Sequence, residues 1–237
     1  MLRSTWVLFA GSLVTLCYAI KLRLLVALGK TSLLCNSCDS AARGWSRAIL
    51  RIAGVSVRVE GAENLDSAAS CVLVANHESW FDVWALAGWL PINGKFVGKE
   101  ELARIPLFGS SWRACGHVAI DRKDRESAVN SLRTIVERMS TEILQVIIFA
   151  EGTRSADGEI QTFKKGPFIL AIEAGVPIVP VSIDGSRAIM PKGSFVIGKG
   201  EIKVRVGEPI SVAGMEYEDR DRLRDIAQTA VAELRVK

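Results

Sequence analysis

Short apolar runs alternate along this chain with longer stretches in which apolar residues recur every three or four positions. The most apolar run is Cys71–Ala75, and residues 145–150 form a second run of the same kind. Unbroken apolar runs of this length are typical of strands that are buried on both faces of a sheet. Between the two runs, five apolar residues recur at helical spacing: Val129, Leu132, Val136, Met139 and Ile143. This spacing predicts an amphipathic helix.

The same patterns predict five further strands and three further helices. The strands are at residues 55–59, 95–98, 117–120, 178–183 and 202–206, and the helices at 81–90, 167–174 and 219–235. Pro180 predicts that its strand lies at a sheet edge or carries a bulge, because proline has no N–H for the ladder. Strands that alternate with helices predict an α/β fold with a mixed, mostly parallel sheet flanked by helices.

The front of the chain has a different pattern. Residues 6–20 contain no charge, Lys21 and Arg23 interrupt, and residues 24–28 are apolar again. Fifteen residues of helix reach only ~22 Å, against a hydrocarbon core of ~30 Å. A longer helix would have to place two cations at the interface. We expect residues 1–58 to be a membrane-anchoring helical segment, spanning or dipping, and residues 59–237 to be an α/β domain. A cleaved signal peptide is the alternative, with only a weak cleavage site at residues 17–19.

Composition and charge agree with an anchor. Apolar residues make up 49% of the chain, and the mean hydropathy is +0.24. The net charge of +4 divides into +7 over residues 1–58 and −3 over the remainder. Arg43, Arg47 and Arg51 recur every four residues beside an apolar stripe, which predicts a basic amphipathic helix on anionic headgroups. An ordinary solvated helix face would show the same pattern. Nucleic acid is not an expected partner, because no aromatic-rich stripe accompanies these arginines.

The five cysteines do not suggest a disulfide framework, since their number is odd and the chain is not short. Cys35 and Cys38 form a single C-x-x-C pair without a second pair, so we expect no zinc site. Cys17, Cys71 and Cys115 lie in apolar surroundings and are interpreted as small apolar residues. This usage favours a reducing compartment.

One candidate for acid–base chemistry follows the first buried run. His77 comes two residues after Ala75, and Asp82 follows five residues later. A carboxylate that accepts a hydrogen bond from one ring nitrogen leaves the other nitrogen free to take a proton. The spacing is equally typical of a helix-start capping arrangement. The pair therefore needs support from the rest of the sequence.

Further candidates follow the other strands. Glu151, Gly152, Thr153 and Arg154 come directly after the second buried run, at the sheet edge where α/β proteins bind ligands. Glycine permits close approach of the backbone, and arginine offers a planar fork for phosphate. Lys99 and Arg122 would add two cations, and three cations in one cleft would suit a phosphate monoester. Each cation alone would be interpreted as a surface charge.

Four sequence blocks together resemble the glycerolipid acyltransferase family, and most closely its bacterial 1-acyl-sn-glycerol-3-phosphate acyltransferases. In chain order, the blocks are Asn76-His77-x4-Asp82, residues 99–109 with 116–122, Glu151-Gly152-Thr153-Arg154, and residues 176–181. They span about half of the chain. Four blocks in this order are far more specific than any one of them.

The resemblance implies that His77 is a general base oriented by Asp82. It also implies that Lys99, Arg122 and Glu151–Arg154 bind the acceptor. The expected reaction transfers an acyl chain from acyl-CoA or acyl carrier protein to the sn-2 hydroxyl of 1-acylglycerol 3-phosphate (lysophosphatidic acid), giving phosphatidic acid for phospholipid synthesis. No acyl-enzyme, metal ion or cofactor is expected. The expected location is the cytoplasmic face of the inner membrane, in contact with membrane lipids.

Two departures and several alternatives accompany this interpretation. Ala150 stands where many members have proline, and His117 where an apolar or small residue is more usual. Glycerol 3-phosphate and a lyso-aminolipid are the alternative acceptors. A non-catalytic lipid-binding module would explain the anchor and cations but not the His77 and Asp82 pair. A hydrolase with a serine or cysteine nucleophile is disfavoured, because no Gly-x-Ser-x-Gly elbow is present.

Overall fold

The computed structural model describes residues 2–28, 31–66, 69–122 and 124–236. Its strands are β1 (Val55–Glu60), β2 (Cys71–Ala75), β3 (Lys95–Lys99), β4 (Val118–Ile120), β5 (Gln145–Phe149), β6 (Ile178–Asp184) and β7 (Gly200–Val206). Its α-helices are α1 (Leu2–Ala27), α2 (Thr31–Ile52), α3 (Trp80–Trp89), α4 (Glu100–Ala103), α5 (Phe108–Ala114), α6 (Arg125–Met139), α7 (Gly166–Ala174), α8 (Ser186–Ile189) and α9 (Arg220–Val236). Two short 3₁₀ helices, Ala62–Asn64 and Tyr217–Asp219, complete the elements. The predicted continuation of α6 to Ile143 was wrong, because α6 ends at Met139 and Ile143 is exposed.

The strands form one sheet in the order β1-β7-β6-β2-β5-β3-β4. The five strands from β6 to β4 pair in parallel, β7 runs antiparallel to β6, and β1 pairs in parallel with β7. The predicted mixed, mostly parallel sheet is confirmed. Because the five parallel strands point the same way, their carboxyl ends meet at one edge of the sheet. The predicted domain boundary at residue 58 falls inside β1, which belongs to this sheet.

The two faces of the sheet are buried in separate cores. Along β2, Leu73 and Ala75 join one core together with α3, while Val72 and Val74 join the other together with α7 and α9. Successive side chains of a strand point to opposite faces, so a strand that is covered on both sides must be apolar at every position. This is why the β2 sequence shows no alternation.

β6 lies between β2 and β7, so of the two predicted alternatives for Pro180 the sheet edge was wrong, and the strand is instead irregular at this residue. On one side, Pro180 is in register with Val74 of β2. On the other side, the ladder with β7 begins only at Val181, and pairing resumes at a single bridge between Ile178 and Ile210. The missing N–H of Pro180 thus falls at an interruption of the β7 ladder, which is how an interior strand accommodates it.

Two arginines of α2 have a different role from the one predicted. Arg43 donates to the carbonyls of Leu90 and Ile92, and Arg47 donates to the carbonyl of Gly88. These carbonyls lie at and just beyond the end of α3, where the last turn of a helix leaves its acceptors unpaired. The prediction that all three arginines lie free against headgroups was wrong for this pair, because they cap α3. Arg51 remains exposed.

α1 is a 26-residue helix that is long and apolar enough to cross a membrane, by length and composition alone. One side of it packs on the protein, where Trp45 donates to Thr15 and Ser111 donates to the carbonyl of Ala19. Large apolar side chains at spacings of three and four are exposed elsewhere on the helix: Leu2, Trp6, Phe9, Leu13, Leu16, Ile20 and Leu24. α1 therefore combines a protein-facing side with an exposed apolar stripe.

The structure joins Cys38 and Cys115 in a disulfide, which corrects the interpretation of Cys115 as an unpaired apolar residue. The cysteine usage therefore no longer favours a reducing compartment. The two cysteines are 77 residues apart in sequence. Packing of α2 against the segment that follows α5 brings them together. No local sequence pattern predicts a disulfide between two cysteines this far apart. Of the remaining cysteines whose side chains are described, Cys17 and Cys71 are free.

Gly185, which lies between β6 and α8, offers a test of the backbone at the sheet edge. Its φ is +86°, and a Cβ atom there would overlap the carbonyl oxygen of Glu201. We expect Gly185→Ala to lower the free energy of unfolding by about 3 kcal/mol, since steric overlap adds to the strain of a positive φ. The control is Gly175→Ala, because Gly175 has φ +64° with no atom within 4 Å of the added Cβ. Equal losses in the two variants, measured by denaturant unfolding, would show that the close contact adds nothing.

Candidate active site

Asn76, the first residue after β2, is hydrogen-bonded to the neighbouring strand β6. The buried Asn76 donates from Nδ2 to the carbonyl of Ile183 at 2.8 Å and accepts from the Ile183 N–H at 2.8 Å. These two bonds continue the pairing of β2 with β6 after the backbone ladder has ended at Ala75. Both polar groups of Ile183 are thereby satisfied while the main chain turns away. The position of His77 is thus fixed by the sheet.

The structure brings His77 and Asp82 together, as the sequence predicted. Nδ1 of His77 lies 2.7 Å from Oδ2 of Asp82. The same oxygen accepts the backbone N–H groups of Glu78 and Ser79 at 2.7 and 2.8 Å. A carboxylate oxygen surrounded in this way is an acceptor, so the ring donates from Nδ1 and Nε2 holds the lone pair. The His77 side chain is 15% exposed and Asp82 is fully buried, so solvent reaches only the histidine.

The capping interpretation of the same residues is confirmed. Ser79 is the N-cap of α3, and its hydroxyl accepts the N–H of Phe81. Asp82 is the third residue of the helix, and its carboxylate returns to the N–H of Ser79 to complete a capping box. The two interpretations that the sequence left open therefore describe one arrangement. Asp82 caps the helix and orients the histidine with the same oxygen.

Residues at the end of β5 and just after it contact the ring, the backbone N–H and the backbone carbonyl of His77. Phe149 stacks on the imidazole, with ring centroids 3.9 Å apart and planes within 15°. The backbone N–H of His77 donates to Oε1 of Glu151 at 2.7 Å, and its carbonyl accepts the N–H of Ser155 at 2.7 Å. The sequence did not single out Phe149. Its place at the end of a buried strand was the only available signal.

Glu151 supports the backbone of the turn with both of its carboxylate oxygens. It is 2% exposed, and while Oε1 accepts from His77, Oε2 accepts the N–H of Gln161 at 3.2 Å. Burial raises the pKa of Glu151 to about 7; the two backbone hydrogen bonds oppose this shift, Asp82 adds to it and Arg235 opposes it. The resemblance implied that Glu151 binds the acceptor. Its described contacts are instead with the backbone on either side of the turn.

Arg154 follows β5 and contacts Trp80, which lies between His77 and Asp82 in the sequence. Its guanidinium carbon is 5.2 Å from the centroid of the Trp80 ring, in a cation–π arrangement that orients the flat group. Burial lowers the pKa of Arg154, and the charge of Asp82 opposes this shift. The cation–π contact with Trp80 of α3 therefore places Arg154 at the helix that carries Asp82. Trp80 belongs to the sequence between His77 and Asp82 but was not recognised as a contact of Arg154.

A second cation at this block was missed by sequence reasoning. Lys192 donates from Nζ to the hydroxyl of Thr153 at 3.3 Å. It lies in the loop that follows α8, 39 residues away in sequence, and belongs to none of the four blocks. A lone lysine after a proline carries no signal of a binding role. Only the fold places it against Thr153.

Of the two remaining predicted cations, the structure brings one to the same block. Arg122, two residues after β4, donates to the carbonyl of Gly152. Lys99 is exposed at the carboxyl end of β3, and among the described residues it makes no hydrogen bond or ion pair with the other predicted site residues. All the predicted site residues nevertheless lie at the edge where the parallel strands end. The common sheet edge is therefore as predicted, but of these two cations only Arg122 contacts the block 151–154.

His117, the second departure from the family pattern, has a structural role. Its Nδ1 accepts the backbone N–H of Phe96 at 3.0 Å, and its ring stacks on Trp112 with centroids 5.2 Å apart. Burial above all, together with the charges of Lys95 and Arg138, lowers the pKa of His117 to about 3. The ring is therefore neutral at neutral pH, as a hydrogen-bond acceptor must be. His117 fastens β3 to the segment that precedes β4.

Comparisons with known proteins agree with this geometry. The profile of the acyltransferase family matches residues 56–184. A chloroplastic 1-acyl-sn-glycerol-3-phosphate acyltransferase of Brassica napus is 36% identical over 178 residues, which cover 74% of this chain and 49% of that protein. Its counterpart in Arabidopsis thaliana is 36% identical over 156 residues, which cover 65% of this chain and 43% of that protein. The chain thus spans about half the length of these curated relatives.

A solved structure resembles almost the whole chain. The crystal structure of the 1-acyl-sn-glycerophosphate acyltransferase PlsC from Thermotoga maritima superposes with a TM-score of 0.74 at 26% sequence identity, covering 98% of each chain. The family profile covers just over half of this chain, and the matched span includes His77, Asp82, Arg122 and the block 151–154. This chain therefore belongs to the acyltransferase family.

Proposed function

We propose that this protein transfers an acyl chain from an acyl thioester to the sn-2 hydroxyl of 1-acylglycerol 3-phosphate, giving phosphatidic acid. The observation that carries the proposal is the hydrogen bond between His77 and Asp82 at a sheet edge that also holds Arg154, Lys192 and Arg122. A base beside cations suits an acceptor that has both a hydroxyl and a phosphate. The names of the Brassica, Arabidopsis and Thermotoga relatives support the same acceptor.

The proposed step moves one proton and exchanges one bond. Nε2 of His77 accepts the proton of the sn-2 hydroxyl while the oxygen forms a bond to the thioester carbonyl carbon. The resulting tetrahedral oxyanion expels the thiolate, which takes the proton back from the imidazolium. Asp82 stabilises the imidazolium in between and fixes the ring orientation. Products are the diacyl lipid and a free thiol, so the step balances without a protein nucleophile, a metal ion or a cofactor.

The acceptor phosphate is assigned to the cations around the block 151–154. Arg154 presents a planar fork that is held by Trp80, and Lys192 adds a point charge through its contact with Thr153. Arg122 and Gly152 border the same place, and Lys99 completes the predicted set as an exposed cation. Glu151 contributes by holding the backbone of His77. The donor is acyl-CoA or acyl carrier protein, since both present the same thioester to the base.

We infer that α1 dips into the cytoplasmic leaflet of the cell (inner) membrane through its exposed apolar stripe. The opposite side of α1 packs on α2 and α5, so lipid on all sides of the helix would require that contact to be lost. The excess of basic residues over residues 1–58 favours the negatively charged cytoplasmic surface. A lysolipid acceptor also resides in this interface. Membrane lipids are thus the proposed surroundings of the site as well as its substrates.

The proposal is tested by an assay of several donors against several acceptors, with purified protein in lipid micelles. Acyl-CoA and acyl carrier protein donors are each combined with 1-acylglycerol 3-phosphate, glycerol 3-phosphate and a lyso-aminolipid. We expect 1-acylglycerol 3-phosphate to have the highest kcat/KM and the product to be acylated at sn-2. Preference for another acceptor would overturn the assignment of substrate, and the absence of transfer from every donor would overturn the activity.

Arg154→Ala tests the phosphate assignment. We expect KM for 1-acylglycerol 3-phosphate to rise about 10- to 100-fold, which corresponds to the loss of one charge-assisted contact. Discrimination against an unphosphorylated acceptor should fall by a similar factor, measured as a ratio of kcat/KM values. Arg58→Ala is the control, because Arg58 is an exposed arginine on the edge strand β1. A variant at position 154 that discriminates as well as the wild type does would rule out this role.

A further inference from the structure

Arg235, in the last turn of α9, contacts the turn that runs from His77 to Asp82. Nη2 of Arg235 lies 2.7 Å from Oε1 of Glu78, the residue that follows His77. The guanidinium also lies 3.9 Å from Asp184 at the end of β6 and donates to the carbonyl of Gly158. Arg235 therefore connects the turn between His77 and Asp82, the end of β6 and the loop that follows the block 151–154.

Glu78 is 3% exposed, so its carboxylate depends on this arginine for compensation. The charged groups that act on it are Arg235 from α9, Asp82 from the same turn, Asp184 from β6 and Glu151 from the segment after β5. Three of these four are carboxylates. Burial raises the pKa of Glu78 to about 7; Arg235 opposes this shift, and the three carboxylates add to it. Arg235 also lowers the pKa of the neighbouring Glu151.

We propose that Arg235 is a positioning residue for acyl transfer, which acts by holding Glu78 so that the turn from His77 to Asp82 keeps its geometry. The proposal rests on the proposed function for its kinetic readout. The backbone N–H of Glu78 donates to the oxygen of Asp82 that binds His77. A Glu78 side chain that turned toward water would pull on that N–H and on the ring orientation. The described contacts of Arg235 are with Glu78, Asp184 and Gly158, so it would act on His77 only through the turn.

The pH dependence of this effect has a defined sign. The folded-state pKa of Glu78, about 7, lies above its ordinary value of 4.5, so the folded protein holds more protons than the unfolded chain between these values. The stability contributed by Glu78 therefore falls as the pH rises through this window. Without Arg235, the pKa of Glu78 rises further, and an unpaired buried carboxylate forms at alkaline pH. The defect of an Arg235 variant should therefore be larger at pH 9 than at pH 6.

The test compares Arg235→Met, Glu78→Gln and the double variant with the wild type. At pH 9 we expect Arg235→Met to lower kcat between about 10- and 100-fold with little change in KM, because small displacements of a catalytic group cost rates of this order. At pH 6 the loss should be several-fold smaller. In the Glu78→Gln background, replacing Arg235 should produce a pH-dependent loss that is several-fold smaller, the remainder coming from the effect of Arg235 on Glu151. Arg235→Lys should restore part of the activity.

The matched control is Arg224→Met. Arg224 lies on the same helix, is comparably buried and pairs with Asp221 and Asp225 away from the turn. Thermal unfolding midpoints in micelles at pH 6 and pH 9 give a readout that does not require activity, so that an error in the proposed reaction is distinguishable from an error here. We expect Arg235→Met to lower the midpoint more at pH 9, and Glu78→Gln to reduce that difference several-fold. Equal kcat losses in the Arg224 and Arg235 variants, or a pH-dependent loss that is undiminished with Gln at position 78, would overturn the proposal.

Discussion

His77→Ala is expected to lower kcat for acyl transfer by about 10²- to 10⁴-fold while KM for 1-acylglycerol 3-phosphate changes little. The range is the contribution that a positioned general base makes to a proton transfer in the transition state. KM should be spared, because the cations assigned to the phosphate belong to other segments, with Arg154 held by Trp80 and Lys192 bound to Thr153. The measurement is steady-state transfer in micelles with the acceptor concentration varied.

The other histidine of the chain supplies the control for this variant. His117 accepts the N–H of Phe96, and a glutamine there retains an acceptor oxygen, so His117→Gln should keep kcat within about threefold. Circular dichroism spectra and unfolding midpoints of both variants would show whether each is folded. A His77→Ala enzyme with wild-type kcat would remove the general-base assignment. Equal kcat losses in the two histidine variants would instead indicate that folding, rather than chemistry, had been lost.

The fold could be predicted from the sequence wherever the pattern is local. The unbroken apolar runs of β2 and β5 reflect burial on both faces, and the spacing of apolar residues in α6 reflects one buried stripe. The common edge for His77, Lys99, Arg122 and Glu151 also follows from local patterns, because parallel strands end together. The position of β6 inside the sheet could not be predicted. Pro180 lacks one backbone N–H, and the sequence does not show whether a neighbouring strand has a carbonyl that would need this donor.

The parts of the site that escaped prediction depend on pairs far apart in sequence. Asn76 binds Ile183, Thr153 binds Lys192 and Glu78 binds Arg235, at separations from 39 to more than 150 residues. Each partner taken alone is an ordinary polar residue without a motif. The disulfide between Cys38 and Cys115 is a further example. The sequence thus indicates where chemistry takes place, and the fold decides which side chains support it.

The arrangement at Asp82 shows why the spacing of five residues is suited to this chemistry. A helix that begins at Trp80 places its third residue over the N-cap, and the capping carboxylate then faces back along the turn. His77 lies in that direction because Asn76 and Glu151 fix the chain at the end of β2. Helix capping therefore orients the carboxylate before any substrate is present. His77, the proposed base, is thus oriented by elements that the fold needs in any case.

Asp82→Asn should remove the negative charge of this carboxylate while keeping its hydrogen bonds. Oδ2 accepts from His77, Glu78 and Ser79, and among the described residues Oδ1 has no hydrogen-bond partner. An asparagine can therefore place its oxygen at the Oδ2 position and its NH₂ group at the Oδ1 position, keeping all three bonds. We expect kcat to fall about 10²- to 10⁴-fold, since a neutral amide stabilises the imidazolium far less than a carboxylate does.

Stability should respond differently from activity. Asp82→Asn should change the free energy of unfolding by less than about 2 kcal/mol, because weaker hydrogen bonds are offset by relief of repulsion with Glu78 and Glu151, whose pKa values Asp82 raises. Asp82→Ala removes the capping box as well, which costs a further ~1 kcal/mol. The two variants should thus share the kcat loss and differ in unfolding midpoint. If Asp82→Asn transferred acyl chains at the wild-type rate, the carboxylate would be a helix cap whose charge the reaction does not use.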